Sequence, residues 1–170
     1  CAGFKDYREL IAREDIDAVC IATPDHWHAI CAVTAAKAKK HIYCQKPMTH
    51  TFAEGQAVVK AVKENGVIFQ VGSQQRSRDD FRRAAQLVRN GVIGKVKRVE
   101  VGLPTGHRSY NKDTSPKTPP AYVDYDFWCG PSEKLPFHPD RFHWNWRWHL
   151  TFGGGQLMDW IGHHNDIAHW

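Results

Sequence analysis

The chain contains no apolar run approaching the roughly 18 residues of a membrane span, which argues against a membrane-crossing protein. It also lacks any CxxC pair, and its five cysteines are an odd number, so no disulfide framework is expected. Cys20, Cys31 and Cys44 lie instead in apolar segments, where a thiol behaves as a small hydrophobe; they are read as reduced core residues. No tract of like charge is present. The formal net charge is +5, but Arg76, Arg78, Arg82, Arg83 and Arg89 are interspersed with acids and apolar residues, which speaks against a nucleic-acid partner. Internal repeats and low-complexity tracts are absent as well. There is neither an initiator Met before Cys1 nor a signal peptide, and the pattern at Trp170 is still helical, so the chain is expected to be a piece of a longer protein.

What is present is the composition of a globular fold, 42% apolar and 24% charged over 170 residues. That length suits one domain or one domain plus part of another. Phe4, Tyr7, Leu10 and Ile11 are at helical spacing and lead into DAVCIAT, an apolar run closed by Thr23-Pro24. The Ala-rich stretch 25–40 has a cationic end and reads as a helix. HIYC then reads as a second strand stopping at Lys46-Pro47, and 51–66 as a third helix with Thr51 as N-cap, Glu54 as its capping-box partner and Gly66 as its stop. A third strand follows in VIFQVGSQQR, and a helix in DDFRRAAQLVRNG.

Apolar strands joined by helices are the pattern of a doubly wound α/β fold, a parallel sheet covered on both faces. Val96, Val99 and Val101 suggest one more strand in KVKRVEVGL. From Pro104 to Pro139 the chain is too irregular for a regular element. Trp144, Trp146 and Trp148 then alternate as in a strand or an extended wall. A domain boundary is placed within 90–102, giving a first domain of residues 1–98 and the beginning of a second over 99–170.

Ligands of doubly wound folds gather at the carboxyl ends of the strands. That rim holds Thr23 to His28, Gln45 to Pro47 and Ser73 to Arg76. Pro47 ends the second strand and lets Lys46 present its ammonium to a ribose hydroxyl or a substrate oxygen, although for an isolated Lys-Pro a solvated loop lysine is the favoured account. Asp25 is positioned to cap the following helix, whose N-terminus offers free N–H groups to an anion. Arg147, among the tryptophans, can stack or reach a phosphate or carboxylate, and the aromatic cluster around it is either an interface wall or a carbohydrate surface.

A last helix is expected after Gly154 or Gly155. It places Asp159 and His163 at i and i+4, where a carboxylate can orient an imidazole and raise its basicity for general-base work. The same spacing admits a zinc site if His143 or His149 converges on the pair, and it also admits ordinary polar decoration of a helix edge.

Taken in order, DAVCIATPDHWH, YCQKP and GGGQLMDWIGHHND resemble the Gfo/Idh/MocA family of NAD(P)-dependent oxidoreductases over essentially the whole chain. The resemblance implies an N-terminal Rossmann domain followed by the start of an α/β substrate domain, with a homo-oligomeric full-length protein. It matches Lys46, Asp159 and His163 to the family's catalytic residues, His163 being the acid/base that exchanges a proton with the substrate hydroxyl. It implies NAD or NADP as cofactor and matches Thr23, Pro24, His28 and Lys46 to positions beside it; Asp25, Gln45, Pro47 and Gln74 of the same rim, and Arg147, are expected near it as well. Gln45 stands where the family motif has Glu, which removes a negative charge next to Lys46. GxGxxG is absent, as expected if that phosphate loop precedes Cys1, and the chain alone is then not expected to be active.

The leading expectation is hydride transfer to or from a secondary alcohol of a sugar, cyclitol or related polyol. The alternative is NAD-dependent glycoside hydrolysis by transient sugar oxidation. Metal-dependent hydrolysis by the terminal His/Asp cluster, or a non-catalytic protein that has kept the fold, ranks below both.

Overall fold

A computed structural model of the protein describes residues 2–106 and 115–170. Three strands, β1 (Ala18–Ile21), β2 (His41–Gln45) and β3 (Phe69–Gly72), pair in parallel in the order β1-β2-β3. The crossovers are α2 (Asp25–Lys37) and α3 (Phe52–Asn65), preceded by the short α1 (Tyr7–Ile11). This is the Rossmann-like parallel α/β arrangement expected from the alternation of apolar runs and helices.

Local chemistry sets the boundaries. Thr51 and Glu54 close a capping box at the start of α3, and Gly66 ends that helix in the left-handed region at φ 66°. Helix α2 lies close to the sheet because its buried positions are small: Ala32, Ala35 and Ala36 are fully buried against a core that includes Ile21, Ile42, Cys44 and Val58. Burial pushes the Cys31 and Cys44 thiols up to about 12, so both remain protonated.

Four sequence expectations are corrected. Burial alternates along β1 and β2 instead of covering both faces, and Cys20 is exposed, as is Tyr43, so Cys20 is not a core thiol. Residues 95–106 form no strand; Val96, Val99 and Val101 are exposed, and a strand without a ladder partner leaves its backbone groups unpaired. Within the stretch expected to be irregular, of which 107–114 lies outside the described residues as does Cys1, a helix α5 (Tyr125–Cys129) forms with Asp124 accepting from Phe127 N–H. The alternating tryptophans belong to a 3-10 helix over His143–Trp148. A strand would line the three rings along one face, whereas at about three residues per turn this helix turns Trp144 and Trp146 away from a common face.

These latter segments build a second cluster in which Tyr125, Cys129, Phe137, Trp146 and Phe152 are buried. Beyond it runs α6 (Gly155–His169), while the helix α4 (Asp79–Arg89) has no buried residue. No helix among the described residues is long and apolar enough to cross a membrane.

Candidate active site

Parallel strands release their following loops at one edge, and α6 crosses that edge. The Lys46 Nζ, just past β2, donates to Asp159 Oδ1 and to the Asp159 backbone carbonyl, both at 2.7 Å. Residues 113 apart in sequence are thereby joined. The lysine stem lies along the helix at Gly162, where a Cβ would make ordinary van der Waals contact with Lys46 Cβ at 3.4 Å. The Asp159 carboxylate also faces Arg147 Nε at 3.5 Å. The Arg147 guanidinium is stacked on Trp144 and Trp146, 4.1 and 4.4 Å from their ring centroids. Gly153 permits this fold of the chain, because a Cβ there would sit 2.9 Å from the Arg147 carbonyl oxygen.

A cleft of about 320 Å³ results, lined among others by Thr23, Pro24, Asp25, Gln45, Lys46, Arg147 and Asp159. Seven of the residues singled out from sequence thus share one cavity. Trp146 also lines it and carries the stacking that the sequence admits for Arg147 among the tryptophans.

Two titratable groups are perturbed, Asp25 in the cleft and His163, which stands on α6 outside the cleft lining. Asp25 is the first residue of α2 and not its cap, since Pro24 holds the cap position without a side-chain bond. It is only 6% exposed, and burial pushes its carboxyl up to about 6 against the opposing positive charge of Lys46. A folded-state pKa above the unfolded one stabilises the fold at low pH, and that stabilisation is lost as pH rises through about 6. The rise from 3.8 to about 6 corresponds to about 3 kcal/mol. Asp25→Asn is therefore expected to raise stability at pH 8 by about 1–3 kcal/mol and to add little at pH 4, as measured by thermal melts at the two pH values. An equal gain at both would show that the buried charge is not the cause.

His163 is 8% exposed, and its Nδ1 is buried without a hydrogen-bond partner. Burial lowers its pKa, aided by the Lys46 charge and opposed by Asp159. The imidazole is thus neutral near pH 7 and has an unused ring nitrogen. The expected Asp159 to His163 hydrogen bond is absent, because the carboxylate is taken by Lys46 and Arg147.

The other predicted residues lie outside the cleft lining. His28 is 1% exposed, with its ring between the carbonyls of Thr23 and Pro47, and Pro47 meets it through that carbonyl. Gln74 is exposed at the start of a 3-10 helix over Gln74–Ser77. The zinc arrangement is not formed: His149 Nε2 is bonded to the Asp140 carbonyl, His143 is exposed, and no group of three metal-ligating side chains converges among the described residues. The sequence reading missed the clasp between Arg76 and Asp166. Arg76 Nε and its Nη2 meet the two carboxylate oxygens at 2.6 and 2.9 Å, tying the segment after β3 to α6, while the guanidinium lies over the Trp170 ring at 5.1 Å.

Residues 1–73 match an oxidoreductase-family model described as an NAD-binding Rossmann fold, and residues 78–169 match the C-terminal alpha/beta domain model of an oxidoreductase family. The levoglucosan dehydrogenase of Pseudarthrobacter phenanthrenivorans is 38% identical over 91 residues, 54% of this chain and 23% of that protein. An inositol 2-dehydrogenase of Salmonella typhimurium is 31% identical over 144 residues, 83% of this chain and 38% of that protein. Among solved structures, the scyllo-inositol dehydrogenase of Lactobacillus casei with bound NAD(H) and scyllo-inositol is similar at 32% identity with a TM-score of 0.51, covering 54% of this chain and 27% of that one. The chain therefore spans between about a quarter and two-fifths of the length of the curated relatives it matches.

Proposed function

The chain belongs to the Gfo/Idh/MocA oxidoreductase family, and we propose that the protein containing it transfers a hydride between NAD or NADP and a secondary alcohol of a sugar, cyclitol or related polyol. The observation that carries this reading is the double hydrogen bond from Lys46 Nζ to Asp159, which seats a strand-end lysine of the nucleotide-binding half on the helix that bears His163 one turn later.

The residues present fit the nicotinamide end of a dinucleotide. They surround a cleft at the carboxyl ends of parallel strands and offer a cation, Lys46, for ribose or substrate oxygens. When bound, the nicotinamide supplies the two-electron chemistry. The chain's own residues supply the rest. Lys46, held by Asp159, orients the reacting oxygen, and neutral His163 takes its proton in the oxidative direction and returns it in the reductive one.

The test is to purify the full-length protein, release bound nucleotide by denaturation, and follow the NADH absorbance with panels of polyols, sugars and glycosides. Net NADH or NADPH formation with a free polyol or sugar is the expected result. Glycoside cleavage without net accumulation would move the assignment to a hydrolase acting by transient oxidation, and absence of both nucleotide and turnover would overturn the reading.

A further inference from the structure

The first turn of α2 carries three ring side chains whose nitrogens all end on main-chain carbonyls. His28 spans two loops, with Nδ1 2.6 Å from the Pro47 oxygen and Nε2 2.9 Å from the Thr23 oxygen. His26 reaches the other half of the molecule, with Nε2 2.9 Å from the Trp128 oxygen and Nδ1 3.3 Å from the Phe152 oxygen. Trp27 Nε1 donates to the same Trp128 carbonyl at 2.9 Å, and the His26 backbone N–H to Phe152 at 3.3 Å. The imidazoles are 2% and 1% exposed, which leaves neither ring a surface for cofactor or substrate.

The chain positions of these carbonyls give the contacts their meaning. Pro47 follows Lys46 directly. Phe152, fully buried, precedes the three glycines that lead into α6 and hence Asp159. A single rigid helical turn therefore grips the chain next to one partner of the Lys46–Asp159 contact and the root of the element bearing the other. Glycines cannot fix the direction of α6 by themselves, because they restrict the backbone least. A misplacement of about 1 Å at a reacting centre costs on the order of 10²-fold in rate.

We propose that His26 and His28 are positioning residues: His28 fixes the Lys46 loop and His26 fixes the base of α6, so that α2 sets the Lys46–Asp159 contact. An apolar side chain of similar size fills the same space but removes the one N–H that each neutral ring donates: position 28 then gives no donor to the Thr23 or Pro47 carbonyl, and position 26 leaves Trp128 to Trp27 Nε1 and Phe152 to the residue-26 backbone N–H alone. Glutamine keeps one amide donor and restores part of the grip.

The proposal rests on the reading of Lys46 and Asp159 as site residues, and its test has one readout that does not depend on turnover. In the full-length protein, His26→Leu, His28→Leu and the corresponding glutamine variants are compared with wild type. The measurements are kcat, the KM values for cofactor and alcohol, the melting temperature, and the rate at which Lys46 is reductively methylated, followed by mass spectrometry. Each leucine variant is expected to lower kcat by about tenfold or more, with KM for the cofactor changed by less than about threefold. Lys46 is expected to label several-fold faster, and glutamine to recover part of both losses. Where a leucine variant does not fold, the glutamine variant carries the comparison. A lower melting temperature with unchanged kcat and unchanged Lys46 labelling would overturn the proposal. If wild type shows no oxidoreductase turnover, the functional reading fails, while unaltered labelling would still be needed to reject the positioning role.

Discussion

His163→Ala is expected to lower turnover by about 10²–10⁴-fold while NADH affinity, measured by fluorescence titration, changes by less than about threefold. The side chain is buried, its Nδ1 has no partner in the protein, and Lys46 occupies the carboxylate one turn before it. A buried polar atom without a partner costs stability unless something else requires it. The proposed role, a proton acceptor for the substrate hydroxyl, would use that atom. Burial and the Lys46 charge lower the imidazole pKa, so the neutral, proton-accepting form persists to a lower pH than for an ordinary histidine, whose value is 6.5. The acid limb of kcat against pH should therefore fall below 6.5 in wild type. It should move upward in Lys46→Met, which removes the repelling charge. A His163→Ala enzyme that retains turnover within about threefold would take His163 out of the proton transfer.

Much of this site was legible in the sequence because the features involved are local. The strand ends are marked by Thr23-Pro24 and Lys46-Pro47, and parallel topology then sends both loops to one rim without further information. The capping box at Thr51 follows from side chains within four positions of the boundary, and α6 starts at the last of the three glycines, Gly155. What could not be read depends on residues far apart. The i, i+4 spacing of Asp159 and His163 suggested a hydrogen bond, but a lysine 113 positions away competes for the carboxylate and wins, since a charged donor outbids a neutral ring. The alternation of Trp144, Trp146 and Trp148 has the period of a strand, yet stacking on Arg147 and closure against Gly153 favour a 3-10 turn. Val96, Val99 and Val101 have strand propensity, but no described strand lies beside them to accept the pairing. The carbonyls of Pro47, Trp128 and Phe152 that His26 and His28 meet lie 19 to 126 positions away, so no local pattern shows them.

Asp159→Asn separates the electrostatic part of the site from its geometry. The substitution leaves the backbone carbonyl of residue 159 in place, so Lys46 Nζ retains one of its two 2.7 Å hydrogen bonds and its approximate position. The negative charge disappears, and two cations remain, with the Lys46 and Arg147 side chains 16% and 24% exposed. Removing one partner of a largely buried ion pair costs on the order of 3 kcal/mol, because the remaining charge stays desolvated without compensation. The melting temperature is therefore expected to fall, and kcat with it, by more than the small change in Lys46 position would produce. The double variant Lys46→Met/Asp159→Asn supplies the control. It deletes a charge of each sign, leaving Arg147 stacked on its two tryptophans, and should be more stable than the sum of the single effects predicts by about 1–3 kcal/mol. Its turnover should nevertheless stay as low as that of Lys46→Met, since the Lys46 ammonium proposed to orient the reacting oxygen is gone. Additive stabilities in this cycle would mean that solvent already screens the pair, and that the cleft owes its shape to the Arg147 stack and the Arg76 clasp rather than to the Lys46–Asp159 charge.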